Sequence, residues 1–216
     1  MAQRRSASAS RRPANDAVFL NLPYDDRFAE LFLAYVAGVS AFGLVPRATL
    51  EIPGGERRLS RIWDLIRGSR YSIYDMSRVE LDLVPPATPR FNMPFELGLA
   101  VAYQQSVNKN RNKQHTWFVF EGVNRRLQKS LSDLNGTEVY IHDGTAEGVF
   151  RELAQAFVTA RWQPSVAQIR IVHGRLRAEM PRLLEDAGSA TPFQARVFRD
   201  CSVFANAVAE ELLGVR

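Results

Sequence analysis

Between residues 17 and 162 a short β-rich run gives way five times to a stretch with helical apolar spacing, mostly across links of a few residues. The strand-like runs are "DAVFLNLPY", "LVPRATL", "RYSIYDMS", "HTWFVFEG" and "TEVYIHDG". Between and after them lie "DDRFAELFLAYVAGVSAFG", "LSRIWDLIRGS", "RFNMPFELGLAVAY", "NRRLQKSLSDLNG" and "TAEGVFRELAQAFVTARW". In the first of these, apolar residues fall at Phe28, Leu31, Phe32, Tyr35, Val36 and Val39, a period near 3.6, and Gly43 stops the helix. Such alternation predicts a parallel sheet with helices on both faces, because parallel neighbours need crossover connections. The expected class is therefore α/β: a flavodoxin-like, doubly wound, five-stranded parallel sheet. "QPSVAQIRIVHGRLRAEMPRLLEDAG" and "TPFQARVFRDCSVFANAVAEELLGV" add two helices as a C-terminal appendage. Their apolar faces must bury against the sheet domain or another chain, which raises the expectation of a homo-oligomer. The expected division is a basic tail over 1–15, the α/β domain over 16–162 and the helical extension over 163–216.

Composition excludes several classes. The 216 residues suffice for one sizeable core, and no apolar run approaches the ~20 residues that span a bilayer. Four of the 28 basic residues, Arg4, Arg5, Arg11 and Arg12, lie in the first 15; the other 24 face 23 acidic residues. The body is thus close to neutral, and no aromatic-laced basic face follows the tail, which argues against nucleic acid as the partner. The Arg/Ser/Ala-rich start has no apolar core and reads as a flexible tail rather than a secretory signal. A lone cysteine, Cys201, sits in an apolar run and fits a buried thiol in a cytoplasmic protein. His115, His142 and His173 are dispersed, with no ligand spacing, so no metal is expected. No G-x-x-x-x-G-K-[ST], no G-x-G-x-x-G after a strand and no G-x-S-x-G occurs, so no cofactor is implied.

In this fold class ligands sit outside the carboxyl ends of the strands at the switch point, between the first and third strands. The loops there are "NLPYDDRF" and the run from Asp75 to Glu96. Asp75 closes the third strand, Glu96 opens the following helix, and Tyr24 lies in the first loop. Glu96 also has a structural reading, as a capping-box or dipole-favoured acid; Met93 at the N-cap would put it in capping register and Asn92 would not. Asp75 likewise reads as a strand-end cap or salt-bridge partner. Gly98, in mid-helix, costs about 1 kcal/mol against alanine, which predicts a close approach of sheet or ligand there.

Taken together, "NLPYDD", "YSIYDMSR" and "RFNMPFELGLAVAY" resemble the signatures of the TIR-like and nucleoside 2-deoxyribosyltransferase-like superfamily, in particular its bacterial anti-phage branch, over roughly residues 17 to 160. The resemblance implies N-glycosidic chemistry with Glu96 as the catalytic carboxylate. It further implies that Asp75, Ser77 and Asn92 hold ribose hydroxyls or the departing base. Tyr24 would orient the glutamate or stack on the ligand, Arg47 and Arg78 would meet phosphates, and "EIPGGERR" would be a gating loop. The chain departs from the family pattern in two places. The loop from Val79 to Pro89 is longer and richer in proline, and the TIR tryptophan upstream of the glutamate has no match, Phe91 or Phe95 standing in its neighbourhood.

A glutamate of ordinary pKa, ~4.3, would be ionised at neutral pH. It would stabilise an oxocarbenium-like state without activation. Nicotinamide leaves a pyridinium as a neutral molecule, so one carboxylate suffices. A neutral nucleoside's base needs an acid, and Asp75 is the one candidate, with nothing in "DMS" to keep it protonated. The expected function is therefore cleavage of the nicotinamide–ribose bond of NAD, as substrate, giving ADP-ribose or a cyclic or conjugated form. The expected partners are a nucleotide substrate and a defence-system effector protein. Two alternatives stand beside it: a deoxyribosyltransferase or nucleotide N-hydrolase, and a non-catalytic nucleotide-binding or assembly module.

Overall fold

The computed structural model describes residues 16–51, 57–79, 81–82, 85–107 and 115–214. The basic tail, and residues 52–56 of the expected gating loop, lie outside the described residues. Five strands, β1 (Ala17–Asn21), β2 (Val45–Ala48), β3 (Tyr71–Asp75), β6 (Thr116–Glu121) and β7 (Val139–Ile141), form one sheet in the order β2-β1-β3-β6-β7. Every pairing in it is parallel. This is the flavodoxin-like order, and its switch point falls between β1 and β3. A two-residue hairpin, β4 (Leu81–Asp82) with β5 (Thr88–Pro89), interrupts the proline-rich segment that the sequence pattern leaves as a loop. No helix among the described residues is long and apolar enough to cross a membrane.

Helices α2 (Arg58–Gly68), α3 (Asn92–Val107) and the short α4 (Arg126–Ser130) cover one face of the sheet, over Phe19, Tyr74 and Val119. Helices α1 (Ala29–Ala41) and α5 (Ala146–Ala156) cover the other, over Val18, Leu20, Ile73 and Phe120. Alternation along the strands therefore decides which face each end residue serves. The fourth crossover differs from expectation. The single helix expected over 124–136 breaks after Ser130 into a 3-10 turn at Ser132–Leu134, before Gly136 at φ +92°.

Helix α1 is buried at every position from Leu31 to Ala41, which requires cover on all sides. The sheet and α5 supply part of it, and α6 (Val166–Ala187) and α7 (Ala195–Leu213) supply the rest. Ile169, Val172 and Leu176 of α6 and Val197, Phe198, Cys201 and Ala205 of α7 join the same core. The C-terminal helices thus spend their inner faces within the chain, on α1. Ser165 caps α6 in a capping box with Gln168. Cys201 is buried, with its Sγ 3.3 Å from the Met180 sulfur.

Two glycines are decided by space. A Cβ at Gly148, in the first turn of α5, would stand 1.9 Å from the His142 carbonyl oxygen, an immovable backbone neighbour. At Gly98 a Cβ would meet nothing within 4 Å, so the close approach of the sheet expected from its helical position does not occur among the described residues. Opposite outcomes are expected in denaturant unfolding. Gly148→Ala should lose about 1–3 kcal/mol through overpacking, whereas Gly98→Ala should gain about 0.5–1 kcal/mol of helix propensity.

Candidate functional site

The carboxyl edge of the sheet gathers three buried carboxylates, Asp75, Glu96 and Glu121. Burial obliges each to find donors or a counterion. Asp75, at the end of β3, is fully enclosed. Its Oδ1 accepts the Ser77 backbone N–H at 2.8 Å, and its Oδ2 accepts the Tyr35 hydroxyl at 2.7 Å and His142 Nε2 at 3.0 Å. Glu121, at the end of β6, accepts the Gly122 and Val123 N–H groups and both arms of Arg126, whose guanidinium also reaches the Met76 carbonyl at 2.8 Å.

Glu96 is supplied far more thinly. The Phe95 N–H bonds to the Phe91 carbonyl at 3.0 Å, which makes Phe91 the N-cap and Glu96 the fifth helical residue. Neither capping register read from the sequence applies. The side chain turns instead into the crevice between β1 and β3, where Asn21, the last residue of β1, donates from Nδ2 to Oε2 at 2.7 Å. Oε1 has no hydrogen-bond partner among the described residues and is not sealed from solvent. Burial raises the Glu96 pKa to about 7, against the opposing pull of the Arg58 charge and the Asn21 hydrogen bond. The ordinary carboxylate pKa expected from the sequence is thereby corrected: near neutral pH the group is half protonated.

The other predicted residues divide into two groups. Tyr24 belongs with Glu96. Its hydroxyl lies 3.0 Å from Thr49 Oγ1, and burial pushes its pKa up to about 12, with Glu96 adding to the rise and Arg58 opposing it. Its ring meets Phe32 and Phe193, the latter from the α6–α7 connection. No hydrogen bond joins it to Glu96; that bond is made by Asn21. Asp75 and Ser77 form the second group, gathered with Tyr35 of α1 and His142. Ser77 Oγ lies 2.9 Å from His142 Nε2, the nitrogen that also meets Asp75, while Nδ1 accepts the Gly144 N–H at 3.1 Å. Because one ring nitrogen serves both partners, this is not a Ser-His-Asp relay, in which the two ring nitrogens divide the roles.

Arg78 pairs with Asp25 at 3.3 Å, tying the loop after β3 to the loop after β1. Arg47 pairs with Glu51 at 2.7 Å and lines an open cleft of about 590 Å³ with Arg196 and Arg199 of α7. Asn92 is exposed at the first residue of α3.

Sequence reasoning missed Asn21, Thr49 and Arg58 around Glu96, and Tyr35 and His142 around Asp75. Asn21 stands inside "NLPYDD", and a polar residue at the inner end of an otherwise apolar strand was the available signal. His115 bonds Ser72 and the Ser69 carbonyl; His173, buried beside Phe150, has its pKa lowered to about 4 by burial. No group of three His, Cys, Asp or Glu side chains suited to a metal occurs among the described residues. No protein-family model, curated protein or solved structure matches the chain.

A carboxyl held at about 7 in the native state but near 4.5 when unfolded binds its proton more tightly when folded. Stability therefore falls as pH rises from 4.5 through 7 and levels off above. Glu96→Gln keeps an acceptor for Asn21 and removes that loss. Urea unfolding should find it more stable than wild type by about 2–3 kcal/mol at pH 8, with the gap closing by pH 4.5.

Proposed function

We propose that the chain is an N-glycosidase of the TIR-like kind, that it cleaves the nicotinamide–ribose bond of NAD, and that Glu96 is its catalytic carboxylate. The observation that carries this reading is the supply of Glu96. Among the described residues it is the one buried carboxylate at the switch-point crevice with a single hydrogen bond, and its other oxygen, unpartnered there, is open to a ligand. Asn21 fixes Oε2, so Oε1 is the atom that would face the anomeric carbon. As the C1′–N bond breaks, its electron pair goes to the nicotinamide ring, which leaves neutral. Positive charge grows on the ribose and the carboxylate stabilises it. Water then adds to C1′ and gives up a proton, leaving ADP-ribose; attack by another group of the substrate would give a cyclic or conjugated form.

Asp75 fits a positioning role in this scheme: sealed from solvent and held by three donors, it orders the loop that carries Ser77 and Arg78. Tyr24 supplies an apolar wall beside Glu96. A place in anti-phage defence with an effector partner, and self-association, remain part of the reading through the family resemblance alone.

The Glu96 pKa favours a second reading as well, since a half-protonated carboxyl can protonate a departing base. That would suit a nucleotide N-hydrolase or deoxyribosyltransferase. The pH profile separates the two: cleavage that needs the carboxylate rises through pH 7, and cleavage that needs the acid falls.

The test is chromatographic detection of released base from NAD and from a panel of deoxynucleosides and nucleotides. Nicotinamide is expected from wild type, on an ascending limb centred near pH 7, and at least about a hundredfold less from Glu96→Gln, as when one preorganised electrostatic group is lost. Release of a purine or pyrimidine on a descending limb would replace NAD with the second reading. Equal behaviour of both proteins on every substrate would remove Glu96 from catalysis.

A further inference from the structure

Arg58 opens α2, is exposed, and is linked to Tyr24 through the Thr49 hydroxyl. It has no acidic hydrogen-bond or salt-bridge partner among the described residues; its one hydrogen bond there, NH2 to Thr49 Oγ1, is stretched to 3.5 Å. Yet its charge acts on both Glu96 and Tyr24. The two arginines that the family resemblance points to are placed otherwise: Arg47 is committed to Glu51, and Arg78 to Asp25. An exposed guanidinium that reaches the Thr49 hydroxyl shared with Tyr24, and makes no tight ion pair among the described residues, is a receptor for an anion that arrives with the ligand. Guanidinium and phosphate match in charge and in fork geometry. On the same side, Leu59 of α2 and the rings of Phe91 and Phe95 at the start of α3 are exposed by half or more, apolar surface suited to a flat heterocycle.

We propose that Arg58 is the residue that selects phosphorylated ligands at this site, so that a nucleoside pyrophosphate is accepted and the bare nucleoside is discriminated against. The inference rests on the Glu96 crevice being the ligand site, as under the proposed function, and adds the residue that reads the ligand's phosphate. The charge of Arg58 then serves two groups in turn: Glu96, on which it acts through space, and the ligand's phosphate when it binds. Its partial release from Glu96 couples binding to proton uptake by the carboxyl. Because the contact is to phosphate oxygens, lysine should replace arginine in part, and glutamine should not.

The experiment is calorimetric titration of the full-length chain with ADP-ribose and with adenosine, for wild type, Arg58→Gln and Arg58→Lys. The wild type is expected to bind ADP-ribose at least about tenfold more tightly than adenosine, the loss of one charge-assisted contact being of that size. Arg58→Gln should abolish the gap by weakening ADP-ribose alone, and Arg58→Lys should keep part of it. Repeating the wild-type titration at pH 7 in two buffers of different ionisation enthalpy should register proton uptake, which Arg58→Gln loses. An undiminished gap in Arg58→Gln, equal binding of the two ligands to wild type, or binding of neither overturns the proposal. A gap that depends on Arg58 in a protein that releases no base would uphold it and overturn the glycosidase reading instead.

Discussion

A carboxylate taken out of water must be repaid in donors or charge, and the carboxyl edge of this sheet meets that demand unequally. Asp75 receives a hydroxyl, a backbone N–H and an imidazole N–H; Glu121 receives two backbone N–H groups and a bidentate guanidinium. Each stitches elements together: Asp75 joins β3 to α1 and to the loop after β7, and Glu121 joins β6 to α4 and, through Arg126, to Met76. Glu96 receives one amide N–H and the field of an exposed arginine. The difference sets Glu96 apart without reference to sequence motifs, since a carboxylate whose two oxygens are both engaged and enclosed has little to offer a ligand and one with an open oxygen has more.

The second organising constraint is α1. A helix apolar all round cannot end its life on a sheet surface, and here α6 and α7 close over it. The terminal helices therefore belong to the core that holds the sheet. They also reach the crevice: Phe193, between them, packs on Tyr24, with ring centres 5.8 Å apart, and on Phe32 at 5.2 Å. A shift of the terminal helices would be felt at the wall of the Glu96 site through one aromatic contact.

Much of this was legible in the residues. Strand and helix alternation gave all five strands of the sheet, because a parallel crossover leaves its period in the chain whatever the tertiary contacts. The closing of α6 and α7 over α1 was less so. The residues at Phe28, Leu31, Phe32, Tyr35, Val36 and Val39 mark one face, while Leu33, Ala34, Ala37 and Ala41, equally buried, carry the information that the other face is covered too. At the site, Glu96 and Tyr24 stood out through their motifs. Asn21 was quoted with them but given no role, since its partner lies 75 residues away. Tyr35 and His142 could not be read locally: they meet Asp75 from α1 and from the loop after β7, and only the strand order brings those together.

The two faces of the sheet also bear on the chemistry. Tyr74, next to Asp75, lies in the α3-side cluster, and Asp75 points to Tyr35 on the α1 side. Glu96 reaches the crevice from α3. Both oxygens of Asp75 are engaged by the protein. A two-carboxylate glycosidase needs its acids on either side of the same glycosidic bond, about 5–10 Å apart and both open to it; Asp75, enclosed with both oxygens engaged, is not open. Under the proposed function this leaves Glu96 as the single carboxylate, and such a site would have to take a leaving group that departs without a second acid, or supply the proton from Glu96 itself. The first condition describes a pyridinium glycoside and the second a purine or pyrimidine glycoside cleaved on the acid side of pH 7. The choice therefore reduces to the protonation state of a single side chain, which burial has placed at the midpoint between them.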